Sequence, residues 1–380
     1  MLRNVGVGSV ARYKIPFGDL RINADSTWNL GRCLAKNWVS QGDMVKRFET
    51  GVAAEFGWKH AIATSSGTDA GQVVMRAVAE LTGKTEVLTP ALAFVATANC
   101  ILAAGLAPGF VDIKLDTLNL DEELVWQRLC NQTAAVQYVA TMGKVKGFDR
   151  IAAEARRRGL MVIFDGCEAH GARLNGQEAA HYADAAIYSF YTAHLVVCGE
   201  GGMICTNDDN LAAICRSVLN HGRPPGTNAF EFVRIGFNSK MNDMEAAIGL
   251  GELRRFAENF VYRRWIRSLL LEGLRPLPQV VVFPDGEGEV ISPHAFPVLF
   301  PELGRTQAMD CLNGAGIETK TLFGSLPTQH RAFSKMGYRL GVFPVAELVG
   351  ATGVHFGCNQ YMTREDVEYI VETITRFVRF

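Results

Sequence analysis

Apolar and polar positions along this chain follow two periods in turn. Over 44–56 the apolar residues Val45, Phe48, Val52 and Phe56 recur at helical spacing. After that, short apolar runs at 60–64, 86–89, 109–112, 134–140, 159–164 and 185–190 read as strands, separated by helical segments. Strands that alternate with helices need crossover connections, so the pattern predicts an α/β fold with a mostly parallel sheet covered on both faces. In such sheets ligands sit at the carboxyl ends of the strands.

The same pattern divides the chain. Residues 1–35 read as an arm and an opening helix, and 36–245 as a large domain. Residues 246–380 read as a linker helix and a smaller α/β domain, with one long amphipathic helix and linker expected over 243–271. The uncharged run 87–111 is long enough to raise a membrane span, but Thr89-Pro90, Asn99, Gly105 and Pro108-Gly109 break it into strand, helix and strand.

Composition narrows the picture. At 380 residues and 48% hydrophobic, the chain can bury a core large enough for two lobes. Acidic and basic residues number 39 and 38, for a formal charge of -1, so no field favours nucleic acid or an anionic membrane, and small molecules are the expected partners. The first twenty residues lack the apolar core of a secretory signal, and the expectation is a cytoplasmic protein. Nine cysteines contain no C-x-C or C-x-x-C pair, which speaks for core thiols and against zinc or clustered iron–sulfur ligation.

Candidate chemistry falls at strand ends. Ser65-Ser66-Gly67-Thr68-Asp69-Ala70 lies where a strand passes into a helix, a place whose free N–H groups suit a phosphate and which equally suits an ordinary helix cap. The strand over 159–164 ends in Asp165. A buried carboxylate there needs a partner, although a helix N-cap is the competing role. Phe94, on spacing alone, reads as a core aromatic. The stretch 184–208 runs from an apolar strand through Ser189-Phe190-Tyr191 and Thr192-Ala193-His194 into the glycine-rich Gly199-Glu200-Gly201-Gly202.

That last stretch resembles the cofactor-lysine segment of the DegT-type sugar-nucleotide aminotransferases, a pyridoxal-phosphate (PLP) family of fold type I that reads roughly Ser-Phe-x-x-x-Lys-x-x-x-x-Gly-Glu-Gly-Gly. His194 stands where that family has its lysine. The resemblance extends along nearly the whole chain. Thr89-Pro90 through Asn99 is similar to the family's Thr-Pro-x-x-x-Phe-x-Ala-Thr-Ala-Asn, and 237–247 to its Tyr-Asn-x-x-Met segment. It implies that Gly67 and Thr68 form the phosphate cup with help from Ser189. It further implies that Phe94 stacks on the cofactor ring, that Asp165 pairs with the ring nitrogen and that Asn238 reaches the phosphate of a second subunit in a homodimer. Glu168 stands near the ring oxygen, where many relatives carry glutamine. His170 reads as structural.

A histidine in place of the lysine points, within this family, to the small branch of 3-dehydratases. Lysine holds the cofactor as a Schiff base; histidine cannot, but it can exchange a proton near neutral pH. The resemblance therefore implies non-covalent pyridoxamine phosphate, a nucleotide-linked 4-keto-6-deoxy sugar as substrate and L-glutamate as amino donor. One set of related dehydratases also uses a cysteine cluster for a [2Fe–2S] centre, and that cluster is not found in this sequence. An aminotransferase-like enzyme and a non-catalytic binding protein are the alternatives.

Overall fold

The computed structural model describes residues 13–226 and 230–379; residues 1–12 of the expected arm lie outside them. After helices α1 (Ala24–Ala35) and α2 (Asp43–Phe56), the large sheet is built from seven strands. These are β1 (His60–Thr64), β2 (Glu86–Pro90), β3 (Ala107–Val111), β4 (Thr133–Val139), β5 (Met161–Asp165), β6 (Ala185–Ser189) and β7 (Gly202–Thr206). Their spatial order is β1-β7-β6-β5-β4-β2-β3. Neighbours from β6 through β3 pair in parallel, and β7 alone runs antiparallel between β6 and β1. The glycine-rich return after His194 thus becomes a strand, which the sequence reading did not assign.

Alternation along each strand sends side chains to two cores. Val162 and Phe164 of β5 join Tyr188 and Phe190 against α2, whose Phe48, Val52 and Phe56 are buried at the expected helical positions. Ile163 and Ile187 face the other way, onto α3 (Gly67–Thr82) and α4 (Val95–Ala103). Asp165 and Ser189 share the parity of Ile163 and Ile187, so both point to the α3 side where the two strands end. The uncharged run flagged above resolves into β2, α4 and β3.

The long helix expected over 243–271 is two helices. With α5 (Glu122–Arg128), α6 (Phe148–Arg157) and α7 (Asp209–Val218) preceding them, they are α8 (Asp243–Leu253) and α9 (Phe256–Leu274), separated at Arg254 and Arg255. α8 and the first turn of α9, through Phe256, serve the core of the large sheet, and the rest of α9 serves another. α8 packs against α1 and α2, where Asn23 donates to Glu252 at 2.8 Å. α9 turns Ile266, Leu270 and Leu274 into the core of a second, antiparallel sheet. That sheet comprises β8 (Val281–Val282), β9 (Ala295–Leu299), β10 (Thr319–Thr321) and β11 (Gly353–Gly357), ordered β8-β9-β11-β10. The arm crosses it: Ile15 bridges Ile317, and the Phe17 N–H donates to Glu318 at 2.8 Å.

One buried carboxylate fastens the small-sheet segment to the large sheet. Glu289 accepts from the N–H groups of Val145 (2.6 Å), Lys146 (2.9 Å) and Gly286 (2.8 Å), and faces the Lys144 ammonium at 3.3 Å. A few residues on, the Ser292 N–H donates to the Gly143 carbonyl at 3.3 Å and its hydroxyl to the His170 carbonyl at 2.8 Å. Gly143 has φ +75°, and a Cβ on it would collide with the Ser292 backbone, so glycine is required on both counts. Glu289→Ala strands a buried ammonium and three amides; denaturant titration should show a loss of about 3–5 kcal/mol, and a loss below about 1 kcal/mol would contradict this role.

Candidate active site

A cavity of about 650 Å³ opens at the carboxyl ends of β2, β4, β5 and β6 and is closed on the far side by the small sheet and the arm. Its large-domain wall includes Gly67, Thr68, Phe94, Asp165, Glu168, Ser189 and His194; its opposite wall includes Phe17, His294, Lys320, Phe323 and His355. Asn238 does not line it. That side chain is exposed and accepts from Lys240 at 2.5 Å.

The turn into α3 is a built cradle. Ser66 is the N-cap, its hydroxyl accepting from the Asp69 N–H at 3.0 Å. Asp69 in turn accepts from the hydroxyls of Ser65, Ser66 and Ser239. A Cβ on Gly67 would come within 2.7 Å of Ser189, and one on Gly202 would collide with the Ser66 carbonyl. The helix N-terminus is therefore left open and lined by small residues, which fits a phosphate group. Phe94, at 59% exposure, is not a core aromatic: it caps α4 from the cavity side, its ring 6.2 Å from that of Phe323.

Asp165 ends β5 and begins no helix. Its oxygens accept from the Thr97 hydroxyl (3.2 Å) and the Cys167 N–H (3.3 Å), and burial pushes its carboxyl above the usual range. No cation pairs with it among the described residues. A protonated pyridine nitrogen would supply the missing charge, so the donor set fits a PLP-type cofactor. Glu168 is buried beside it; its carboxylate accepts from the Met142 N–H at 2.7 Å, and desolvation lifts it to about 8. Met142 holds that N–H in place with a left-handed backbone, φ 54°, a conformation that costs a β-substituted residue about 1 kcal/mol.

His194 is 8% exposed. Its Nδ1 lies 3.2 Å from Nδ1 of His294, and the Nε2 of His294 faces Glu168 at 3.5 Å. The Arg263 guanidinium, itself buried, donates to the carbonyls of His194 (2.8 Å) and Ala193 (3.3 Å) and fixes this corner of the chain. Burial, with help from neighbouring His170 and Arg263, holds the His194 imidazole well below its ordinary range, hence neutral. His170 sits behind it among Phe56, Tyr188 and Phe190, away from the cavity lining. Sequence reading missed His294, Arg263, Phe17 and Lys320. Only Ser292-Pro293-His294, just ahead of an apolar strand, carried a local signal of a strand-edge histidine.

A mostly parallel sheet with an open helix N-terminus at one strand end and an unpaired acid at another fits a PLP-type α/β fold of type I. The chain belongs to the DegT/DnrJ/EryC1/StrS aminotransferase family, whose model matches residues 21–375. It is 34% identical to a "Pleiotropic regulatory protein" of Geobacillus stearothermophilus, over 89% of this chain and 90% of that one. It is 31% identical to the GDP-perosamine synthase of Caulobacter vibrioides (90% and 92%). To the dTDP-4-dehydro-2,6-dideoxy-D-glucose 3-dehydratase of Saccharopolyspora spinosa it is 29% identical (90% and 81%). Among solved structures, E. coli GDP-4-keto-6-deoxy-D-mannose-3-dehydratase with bound hydrated PLP shares the fold at TM-score 0.88 and 24% identity, over 95% of this chain and 99% of that one. Pyridoxal and pyridoxamine phosphate are the cofactor forms of this family.

Glu168 makes stability depend on pH. Its proton is held more tightly folded, near 8, than unfolded, near 4.5, so its contribution is fully present below about pH 4.5 and is lost as pH rises through 8. Glu168→Gln should flatten the decline in melting temperature across that window and make the protein more stable than wild type at its upper end. Parallel slopes for the two proteins would contradict the assignment.

Proposed function

We propose that this protein is a pyridoxamine-phosphate-dependent 3-dehydratase acting on a nucleotide-linked 4-keto-6-deoxyhexose, with His194 as the proton-transferring residue. The observation that carries the reading is the side chain at 194: a histidine, neutral and facing the cavity, at the position of the family's lysine. The lone lysine among the described lining residues, Lys320, sits on the opposite wall beside Glu318 at 3.4 Å. Lys144 is tied up with Glu289, and Lys240 lies outside the cavity with Asn238. The relative named as a 3-dehydratase supports a substrate of this class.

Held by these residues, pyridoxamine phosphate would supply an amine for a substrate ketone and an electron-accepting ring, the chemistry that loss of the neighbouring C3 hydroxyl needs. The residues around it have separable tasks. The α3 N-terminus with Gly67, Thr68 and Ser189 holds the phosphate; Phe94 covers the ring; Asp165 keeps the ring nitrogen protonated; Glu168 stands near the ring oxygen. His194 accepts the proton at its free nitrogen and is placed to return it to the departing hydroxyl. L-glutamate is the amino donor that restores the cofactor, and the enzyme works in the cytoplasm as a homodimer in which Asn238 completes the partner's phosphate site. A second reading, a regulatory binding protein, has one observation in its favour, the name of the 34%-identical relative. Turnover of a 4-keto sugar nucleotide separates the two.

Borohydride reduction followed by mass spectrometry should leave no pyridoxyl adduct on any lysine of the wild type, and dialysis should remove the cofactor. His194→Lys should acquire such an adduct at 194. His194→Asn should retain pyridoxamine phosphate while dehydration, read as release of 3-deoxy-4-keto sugar, falls by about 10²-fold or more. An adduct on the wild-type protein, or full dehydration by either variant, would remove His194 from the reaction.

The shared site is tested by complementation. Inactive Asn238→Ala and His194→Asn chains, coexpressed, should regain part of the activity through hybrid dimers with one intact site. No recovery from hybrids shown to form would place Asn238 outside the site.

A further inference from the structure

We propose that Glu168, His294 and His194 form a proton relay in which Glu168, acting through His294, sets which ring nitrogen of His194 carries the proton. The inference rests on the reading of His194 as the proton-transferring residue and adds the groups that let it work in both directions.

Geometry carries the argument. Two Nδ1 atoms 3.2 Å apart cannot both bear hydrogens and cannot both be bare without loss, so one imidazole donates to the other. The contact consumes one nitrogen of each ring. On His294 the remaining nitrogen, Nε2, faces Glu168 at 3.5 Å, which a small side-chain rotation closes to a hydrogen bond. On His194 the remaining nitrogen, Nε2, has no protein partner among the described residues, and the residue lines the cavity. Glu168 is held from its other side by the Met142 N–H. The three groups thus form one line from a carboxyl to the cavity.

The line has two arrangements. With Glu168 ionised, His294 carries its hydrogen on Nε2, toward the carboxylate, and accepts at Nδ1 from the Nδ1–H of His194. Nε2 of His194 is then a bare lone pair, a base. When it takes a proton, the Nδ1–H of His194 passes to His294 Nδ1, and the Nε2–H of His294 passes to Glu168. Protons balance: one enters at His194 Nε2 and one is gained by the carboxyl, while each imidazole keeps a single hydrogen. His194 now presents Nε2–H, an acid, and the reverse shift returns the proton to a departing hydroxyl.

The electrostatics favour this over a solitary histidine. A cation on His194 is disfavoured by burial, His170 and Arg263; one on His294 by burial, His194, His355, Arg263 and His170. The relay never places charge on either ring, because the carboxyl takes the proton. Glu168, lifted to about 8 by its burial and by Asp165, is matched to both strokes near neutral pH.

The test reads the tautomer directly and needs no turnover. 15N-histidine spectra of the full-length protein are recorded with and without pyridoxamine phosphate, from below to above the Glu168 titration near pH 8, with His194→Asn used to assign the signals. The expected result is a His194 that bears Nε2–H below that pH and Nδ1–H above it, without an imidazolium form between. Glu168→Gln, nearly isosteric, should abolish the switch, and so should His294→Phe; if the latter does not fold, the glutamine variant decides alone. A wild-type tautomer that does not change with pH, or a switch that survives Glu168→Gln, overturns the relay. A protein that switches but fails to dehydrate 4-keto sugar nucleotides would instead overturn the functional reading and leave the relay standing.

Discussion

The site depends on how Glu289 is buried. A carboxylate without solvent is expensive to hold unless every lone pair is occupied, and here three backbone amides and an ammonium occupy them. Those donors come from both sides of the cavity: Lys144, Val145 and Lys146 follow β4, whereas Gly286 belongs to the segment that leads to β9. Satisfying the acid therefore fixes the spacing of the two walls. From Glu289 the chain needs only five residues to reach His294, and Ser292, tied to the carbonyls of Gly143 and His170, leaves it little freedom on the way. The approach of His294 to His194 is a consequence of that seating.

The strand pattern was legible because the large sheet is buried on both faces, and its strands are continuous apolar runs ended by Gly, Pro or polar residues. Ends moved by one or two residues: the run read as 109–112 is Ala107–Val111, and 159–164 is Met161–Asp165. The antiparallel strand Gly202–Thr206 was hidden because the glycines that lead into it read as a turn, whereas Gly202 already lies in the strand and lets Ser66 and Gly67 approach. The break at Arg254 and Arg255 was hidden for another reason. Nothing in the local periodicity says that the chain leaves the core of α8 for a second one along α9.

Residues of the candidate site divide in the same way. Gly67, Thr68, Asp165, Ser189 and His194 sit at strand ends, where local pattern and position together mark them. Phe94 was ambiguous by spacing, since a phenylalanine gives no sign of which way its ring turns until the cavity is seen. Arg263 left no mark in the sequence and His294 only the faint one of Ser292-Pro293-His294 ahead of an apolar strand, because each acts across more than sixty residues of intervening chain. Arg263 also hides its purpose: it is an interior cation whose role is to satisfy the carbonyls of Ala193 and His194. Removing its side chain would release the corner on which His194 stands, even though Arg263 is not itself among the residues that line the cavity.

The exchange of lysine for histidine at 194 has consequences that extend past the side chain itself. A lysine needs reach and a deprotonated amine; a histidine needs a second partner to decide where its hydrogen lies. Around 194 the structure provides such partners in a closely packed set, His294 at Nδ1 and Glu168 beyond it, with His170 and Arg263 disfavouring a cation. Burial raises both acids, Asp165 and Glu168, and the Asp165 carboxylate raises Glu168 further. A cationic ring nitrogen would relieve Asp165 and leave Glu168 as the group free to take or give a proton. The pair is thereby driven toward different protonation states by different partners, the arrangement that acid and base work at one pH requires. A lysine at 194 would add a charge to a place that the surrounding residues are organised to keep neutral, and it would leave the His294 Nδ1 without the partner it faces now.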